Sequence, residues 1–331
     1  FGMPVAELPD FASEVAPIVE RRCLPCHREG GSAPFALDSH RRLTGWKPMI
    51  EEVLLTRRMP PWFAAPGTLK FANDAGLTAG ERAILVNWAA AETAATPPTD
   101  PLAERPADVA DWPAGPPDLV LRLPQVQHIP AEGLLEYRHV ALPLPLDRDR
   151  WLRAVHIRPS NPRVVHHVLL FVELPGKTVD LRGEFLASFL PGGDYDLFPE
   201  GTGKLLHRDA KLLLQLHYTP SGRPEQDQTE VGLYFLDKAP ARIFRTASAY
   251  LRDFSVPPGV PVFPVQASYT FEADATLYAM RPHMHYRGRR MTYEAYYPDG
   301  AFETLLSVPD YNFYWQTTYR LAVPKVMPKG T

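Results

Sequence analysis

The run Cys23-Leu24-Pro25-Cys26-His27 constrains this chain more than any other feature. It reads Cys-x-x-Cys-His, the attachment signal for a c-type haem. Two thiols three positions apart on one helical turn can each bond a haem vinyl carbon, and the adjacent histidine then falls under the iron as an axial ligand. A redox dithiol, half of a zinc site and a disulfide are the other readings of such a pair. A zinc site needs more thiols, and Cys23 and Cys26 are the only cysteines. One covalent haem c is therefore expected, which leaves no disulfide to brace the fold.

The haem signal also predicts a compartment. Haem is joined to such motifs outside the bacterial cytoplasm, so a periplasmic or secreted protein is expected, with a secretory signal once ahead of a processed start at Phe1. No apolar stretch approaches the ~20 residues that span a bilayer. A net charge of -3 gives no argument for nucleic acid or an anionic membrane.

The 331 residues suffice for two or three domains. Residues 1–95 read as a small all-α, cytochrome c-like haem domain. Helices are predicted over 11–22, over 46–58, and from Thr78, where Glu81 completes a capping box. A sixth haem ligand is sought a few tens of residues after His27, and Met59 in Arg58-Met59-Pro60-Pro61-Trp62 offers one. The prolines hold that chain extended, so the thioether can face iron, where it raises the potential. The other reading of Met59 is a core methionine. His40, the competing ligand, is flanked by Arg41 and Arg42 and reads as a solvated loop residue.

Residues 96–117, rich in Pro, Ala and Asp, read as a semi-rigid linker. Beyond them the pattern turns to short strands between Pro/Gly turns, and 37 prolines suit an all-β body. Strands are predicted over 119–123, 137–142, 151–157, 164–172, 211–218, 231–235, 267–271, 276–280 and 291–297. Two all-β jelly-roll or sandwich domains are expected, 118–240 and 241–331, the second C-terminally incomplete.

Three of these strands carry the informative histidines among the chain's 11. His166 and His167 are adjacent within Val164–Phe171. Neighbours on a regular strand face opposite sides, so both bind one metal only where the strand is irregular. Otherwise one is a core residue and one a surface residue. His217 in a strand is, by itself, more often a hydrogen-bonded core residue than a ligand. His283 and His285 stand at i and i+2, which on a strand puts both on one face and suits two ligands of one metal, with Met284 packing away from them. Neutral imidazole suits copper or zinc.

Taken together, His166-His167, then Gln215-Leu216-His217-Tyr218, then His283-Met284-His285 resemble the copper type II monooxygenases, the class of peptidylglycine α-hydroxylating and dopamine β-monooxygenases. Gaps of 50 residues (167 to 217) and 66 (217 to 283) follow the family's order. Pro199-Glu200-Gly201-Thr202-Gly203 and His217-Tyr218-Thr219-Pro220 are similar to a bacterial branch in which a cytochrome precedes the copper domains. The resemblance covers about residues 118–331.

It implies two copper sites: an electron-storing copper on His166, His167 and His217, and an oxygen-binding catalytic copper on His283 and His285. It also implies a methionine ligand of the second copper in a later strand; Met284, Met291 and Met327 are not at the family's spacing. O2 and an unidentified organic substrate are the implied partners. One oxygen atom enters a C–H bond, with electrons supplied through the haem or by a periplasmic donor. Two rivals remain, a non-enzymatic haem/copper electron-transfer or copper-binding protein and an oxidase without an organic substrate. Arg287, Arg289 and Arg290 read as a solvated strand end or as a carboxylate site.

Overall fold

The computed structural model describes residues 8–67, 69–92, 97–103, 112–176, 185–191, 196–251 and 253–331. A small helical region precedes a largely β body of several sheets. The linker prediction falls partly outside the described residues, at 96 and 104–111.

The helical region begins where Asp10 accepts from the Ser13 amide (2.8 Å) and caps a π-type turn, Phe11–Val15. That turn runs into α1 (Ala16–Arg22). Then come α2 (His40–Gly45), α3 (Lys47–Leu55) and α4 (Ala79–Ala90). The capping box of α4 is formed: the Glu81 amide donates to Thr78 Oγ1 (3.1 Å) and the Thr78 amide to Glu81 Oε2 (2.9 Å). The 46–58 helix stops earlier than predicted, because Arg57 turns into the left-handed region (φ 56°). Ile18, Val19, Leu43, Leu54, Leu85 and Trp88 pack together as the core of this region.

His40 is not the solvated residue expected. It opens α2, is 7% exposed, and packs edge-on against Phe11 (4.5 Å between ring centroids). The helical period explains this: His40 and Leu43 share the inner face, while Arg41 and Arg42 face water.

The strands are β1 (Leu119–Arg122), β2 (Gln127–Ile129), β3 (Arg138–Pro143), β4 (Arg150–Arg158), β5 (Val165–Glu173), β6 (Phe185–Phe189), β7 (Asp196–Leu197) and β8 (Thr202–Leu206). They continue with β9 (Lys211–Tyr218), β10 (Glu225–Asp227), β11 (Glu230–Leu236), β12 (Arg242–Ile243), β13 (Ala275–Met280), β14 (Met291–Tyr296), β15 (Phe302–Val308) and β16 (Tyr319–Met327). Eight of the nine predicted strands correspond to these. The exception is 267–271, which forms no strand. It follows a stretch in which Pro257, Pro258, Pro261 and Pro264 remove ladder donors.

Two larger sheets and the β2–β10 pair form the first β unit. One has the order β1-β11-β4-β8-β12, with β7 also on β4; the other is β3-β9-β5-β6. Their inner faces share one core containing Leu152, Val155, Leu170, Leu214 and Leu233. Along β9 burial alternates strictly, so Leu212, Leu214 and Leu216 face that core and His217 faces away from it. The end of the predicted linker lies on β11: Gly232 has no Cβ, and one placed there would meet Pro117 Cγ at 2.8 Å.

The second β unit pairs β13 with β16 and β14 with β15. Its core around Leu306, Phe313, Tyr319 and Met327 is completed from the helical region by Trp62, Phe63 and Phe71. The contact is a short strand addition. Phe71 bridges Leu321, the Ala72 amide donates to the Arg320 carbonyl (2.8 Å), and the Ala322 amide donates to the Lys70 carbonyl (2.9 Å). Asn73 extends it through Thr318 and Arg320.

Candidate metal centre

The β5–β9 ladder pairs Val165 with Tyr218 and His167 with His217, leaving His166 as an extra residue between them. This is a β-bulge, the irregularity that two adjacent ligand histidines require. It brings three rings together, with centroids 5.2 Å (166–167), 5.0 Å (166–217) and 5.1 Å (167–217) apart. One ring nitrogen from each lies within 4.8 Å of the others.

The nitrogen chemistry fits a cation. Nδ1 of His166 and Nδ1 of His167 face each other at 3.0 Å, so at most one of them carries a proton there. Nδ1 of His217 is buried and has no hydrogen-bond partner. Burial, then the neighbouring imidazoles, bring His166 down to about 4 and His167 to about 3; burial also lowers His217. All three are neutral near pH 7, the form that binds a metal. Three imidazoles without a thiolate or carboxylate suit copper or zinc.

Aromatic rings flank the trio. Tyr137, just before β3, lies 4.7 Å from His217, and its phenol is raised by burial. Phe313 and Tyr314, in the connection from β15 to β16, lie 6.2 and 5.5 Å from His166. Phe313 also meets His285 at 6.4 Å, so one buried ring touches both histidine groups.

His283 and His285 do not lie on a strand. β13 ends at Met280, ahead of Pro282, and the pair occupies the loop beyond. The rings are nevertheless neighbours, with centroids 5.3 Å apart. Nδ1 of His283 is 2.7 Å from Gln316 Oε1. Burial lowers His283, with the Gln316 hydrogen bond opposing. Met284 packs against the second-unit core, and the trio is the only cluster of three or more His, Cys, Asp or Glu side chains with metal-holding geometry among the described residues.

The Cys-x-x-Cys-His run continues α1 as a helical turn, in which the His27 amide donates to the Cys23 carbonyl (2.9 Å). His27 Nδ1 donates to the Phe35 carbonyl (3.1 Å), which fixes its tautomer and leaves Nε2 free as a ligand atom. Both cysteines are free. Burial pushes Cys23 up to about 12 and raises Cys26 as well, the reverse of what a reactive dithiol needs. These residues fit a c-type haem. Met59 is half-buried just past α3, with Pro60 next.

Gln316, Phe313 and Tyr314 were not singled out from the sequence. The run Tyr311-Asn312-Phe313-Tyr314-Trp315, four aromatics in five residues, was the available signal. No protein-family model matches the chain, and no curated protein matches it. No helix among the described residues is long and apolar enough to cross a membrane.

Proposed function

We propose that the chain is a copper-dependent monooxygenase carrying a fused c-type haem, and that it works outside the bacterial cytoplasm. The observation that carries this reading is the His166–His167–His217 cluster on a β-bulge. Its inward nitrogens are neutral and one of them is buried without a partner. The order and spacing of His166-His167, His217 and His283-Met284-His285 support the class.

In this reading bound copper supplies one-electron storage at the trio and O2 activation at the pair. The residues supply the rest. The bulge aims two consecutive imidazoles at one point. Tyr137, Phe313 and Tyr314 flank the trio with aromatic rings. His283 and His285 present two imidazoles at the edge of the second unit. Insertion of oxygen into a C–H bond consumes O2, two electrons and two protons and releases water, so a reductant is needed. A haem on Cys23, Cys26 and His27 is the proposed source.

One observation favours a non-enzymatic electron-transfer protein instead: the His283/His285 pair is joined by no third His, Cys, Asp or Glu among the described residues. Oxygen uptake by reduced, copper-loaded protein separates the readings. A monooxygenase consumes O2 only with copper, faster with a C–H substrate, and forms one hydroxylated product per O2. Uptake that no substrate accelerates marks an oxidase. Absence of uptake marks the electron carrier.

A further inference from the structure

We propose that Gln316 is a positioning residue that locks His283 into a single tautomer, Nδ1–H inward and Nε2 outward, and pins Phe313 between the two histidine groups. The inference rests on the pair being a metal site.

The side-chain amide of Gln316 is 3% exposed, so both of its ends need partners. Its Nε2 donates to the Phe313 carbonyl (3.4 Å), which orients the amide. Oε1 is then the atom facing His283 Nδ1 at 2.7 Å. A carbonyl oxygen only accepts, so Nδ1 carries the proton. In a neutral imidazole that leaves the lone pair on Nε2.

The same device operates at His27, where a backbone carbonyl holds Nδ1–H. The trio is built the other way, with Nδ1 atoms of His166 and His167 turned toward each other. His283 on one side and His166 with His167 on the other thus turn opposite ring nitrogens toward their sites. Gln316 defines the choice at the pair, because His283 sits in a loop with no ladder to orient it.

The amide has a second consequence. By holding the Phe313 carbonyl it fixes the backbone that carries the Phe313 ring against His166 and His285. One side chain therefore sets the His283 tautomer and the ring that separates the groups.

The test uses the full chain, metal-free and then titrated with copper alone. Long-range 1H–15N spectra of histidine-labelled protein at pH 7.5 report which nitrogen is protonated. The parent should show His283 protonated at Nδ1. Gln316→Leu, which removes the acceptor, should abolish that state, and Gln316→Glu, which keeps an acceptor, should restore it. In the copper titration, Gln316→Leu should keep the trio's copper and bind a second copper roughly 10–100-fold more weakly, the usual cost of losing such a partner.

A parent protonated at Nε2, or a Gln316→Leu protein still protonated at Nδ1, overturns the proposal. So does unchanged second-copper affinity in Gln316→Leu. If Gln316→Leu does not fold, loss of the Nδ1–H state on heating the parent below its unfolding transition also overturns it. A parent that takes up one copper, unaffected by His283→Ala, removes the pair as a metal site while the tautomer result stands separately.

Discussion

His167 stands directly opposite His217 in the β5–β9 ladder, their ring centroids 5.1 Å apart, on the face of the sheet turned away from the first core. The pairing makes the site a property of strand register. His166 joins only because the bulge removes the alternation that would have sent it to the other face.

Replacing His217 should therefore cost metal without costing the fold. His217→Ala is expected to bind one copper fewer than the parent, with the far-UV spectrum unchanged, since its ring leaves the core-facing Leu212, Leu214 and Leu216 untouched. Equal copper in both proteins would make His217 a packing residue.

Proton competition at the trio should begin only in acid. With His166 near 4, His167 near 3 and His217 also lowered, copper affinity should fall less between pH 7 and 5.5 than at a site of unshifted imidazoles. Three ordinary imidazoles near 6.5 would lose two to three orders of magnitude over that range, by roughly tenfold per ring. The metal-free protein carries the same shift as stability. A folded pKa below the unfolded one means that the unfolded chain binds more protons, so the contribution is full above about pH 6.5. It declines as pH falls toward 4. Urea melts of metal-free parent and His167→Gln at pH 7.5 and 5 should show a smaller acid loss in the variant.

At the proposed haem, Met59→Ala should abolish the weak charge-transfer absorption of methionine–iron ligation and lower the potential. An unchanged spectrum and potential would reject Met59. His40 would then be the ligand, and its buried Nε2, which has no hydrogen-bond partner, supplies the atom.

Haem and copper should exchange electrons within one molecule. When reduced protein is mixed rapidly with O2, haem reoxidation should require copper, at a rate independent of protein concentration. Copper-free protein that reoxidises as fast would end the idea of an internal path.

The helical region should stay attached when the connecting chain is cut. With a specific protease site inserted between Ala103 and Trp112, the two pieces should co-elute after cleavage, held by Trp62, Phe71 and the Phe71–Leu321 pairing. Trp62→Ala with Phe71→Ala should release them, each truncation removing on the order of 2 kcal/mol of burial. Parent fragments that separate on cutting would show that residues 62–73 hold nothing.

Local chemistry was readable in the sequence and long-range pairing was not. The Thr78–Glu81 box, the helical turn over Cys23–His27 and most strands depend on neighbours within a few residues, and each left a pattern. The bulge at His166 could be named as a requirement but not located, because it depends on how β5 meets β9. His40 misled because two exposed arginines beside it masked the helical face it shares with Leu43. Gln316 left no mark, since a lone glutamine acquires its role only when the β15–β16 connection brings it to His283. The placement of the helical region was unreadable for the same reason. Trp62, Phe63 and Phe71 join the second β unit across some 250 residues of sequence, which no local pattern announces.

That joint also imposes an order on assembly. Phe71 and Leu321 are partners separated by most of the chain, so their contact closes a very long loop and forms late. The turn holding Cys23, Cys26 and His27 needs only α1 and its immediate surroundings. In the proposed exported haem protein, the thiols would be available for haem attachment while the surface that receives Trp62, Phe63 and Phe71 does not yet exist. On that proposal a haem would be inserted into an undocked, open helical region, and the Phe71–Leu321 contact would close last.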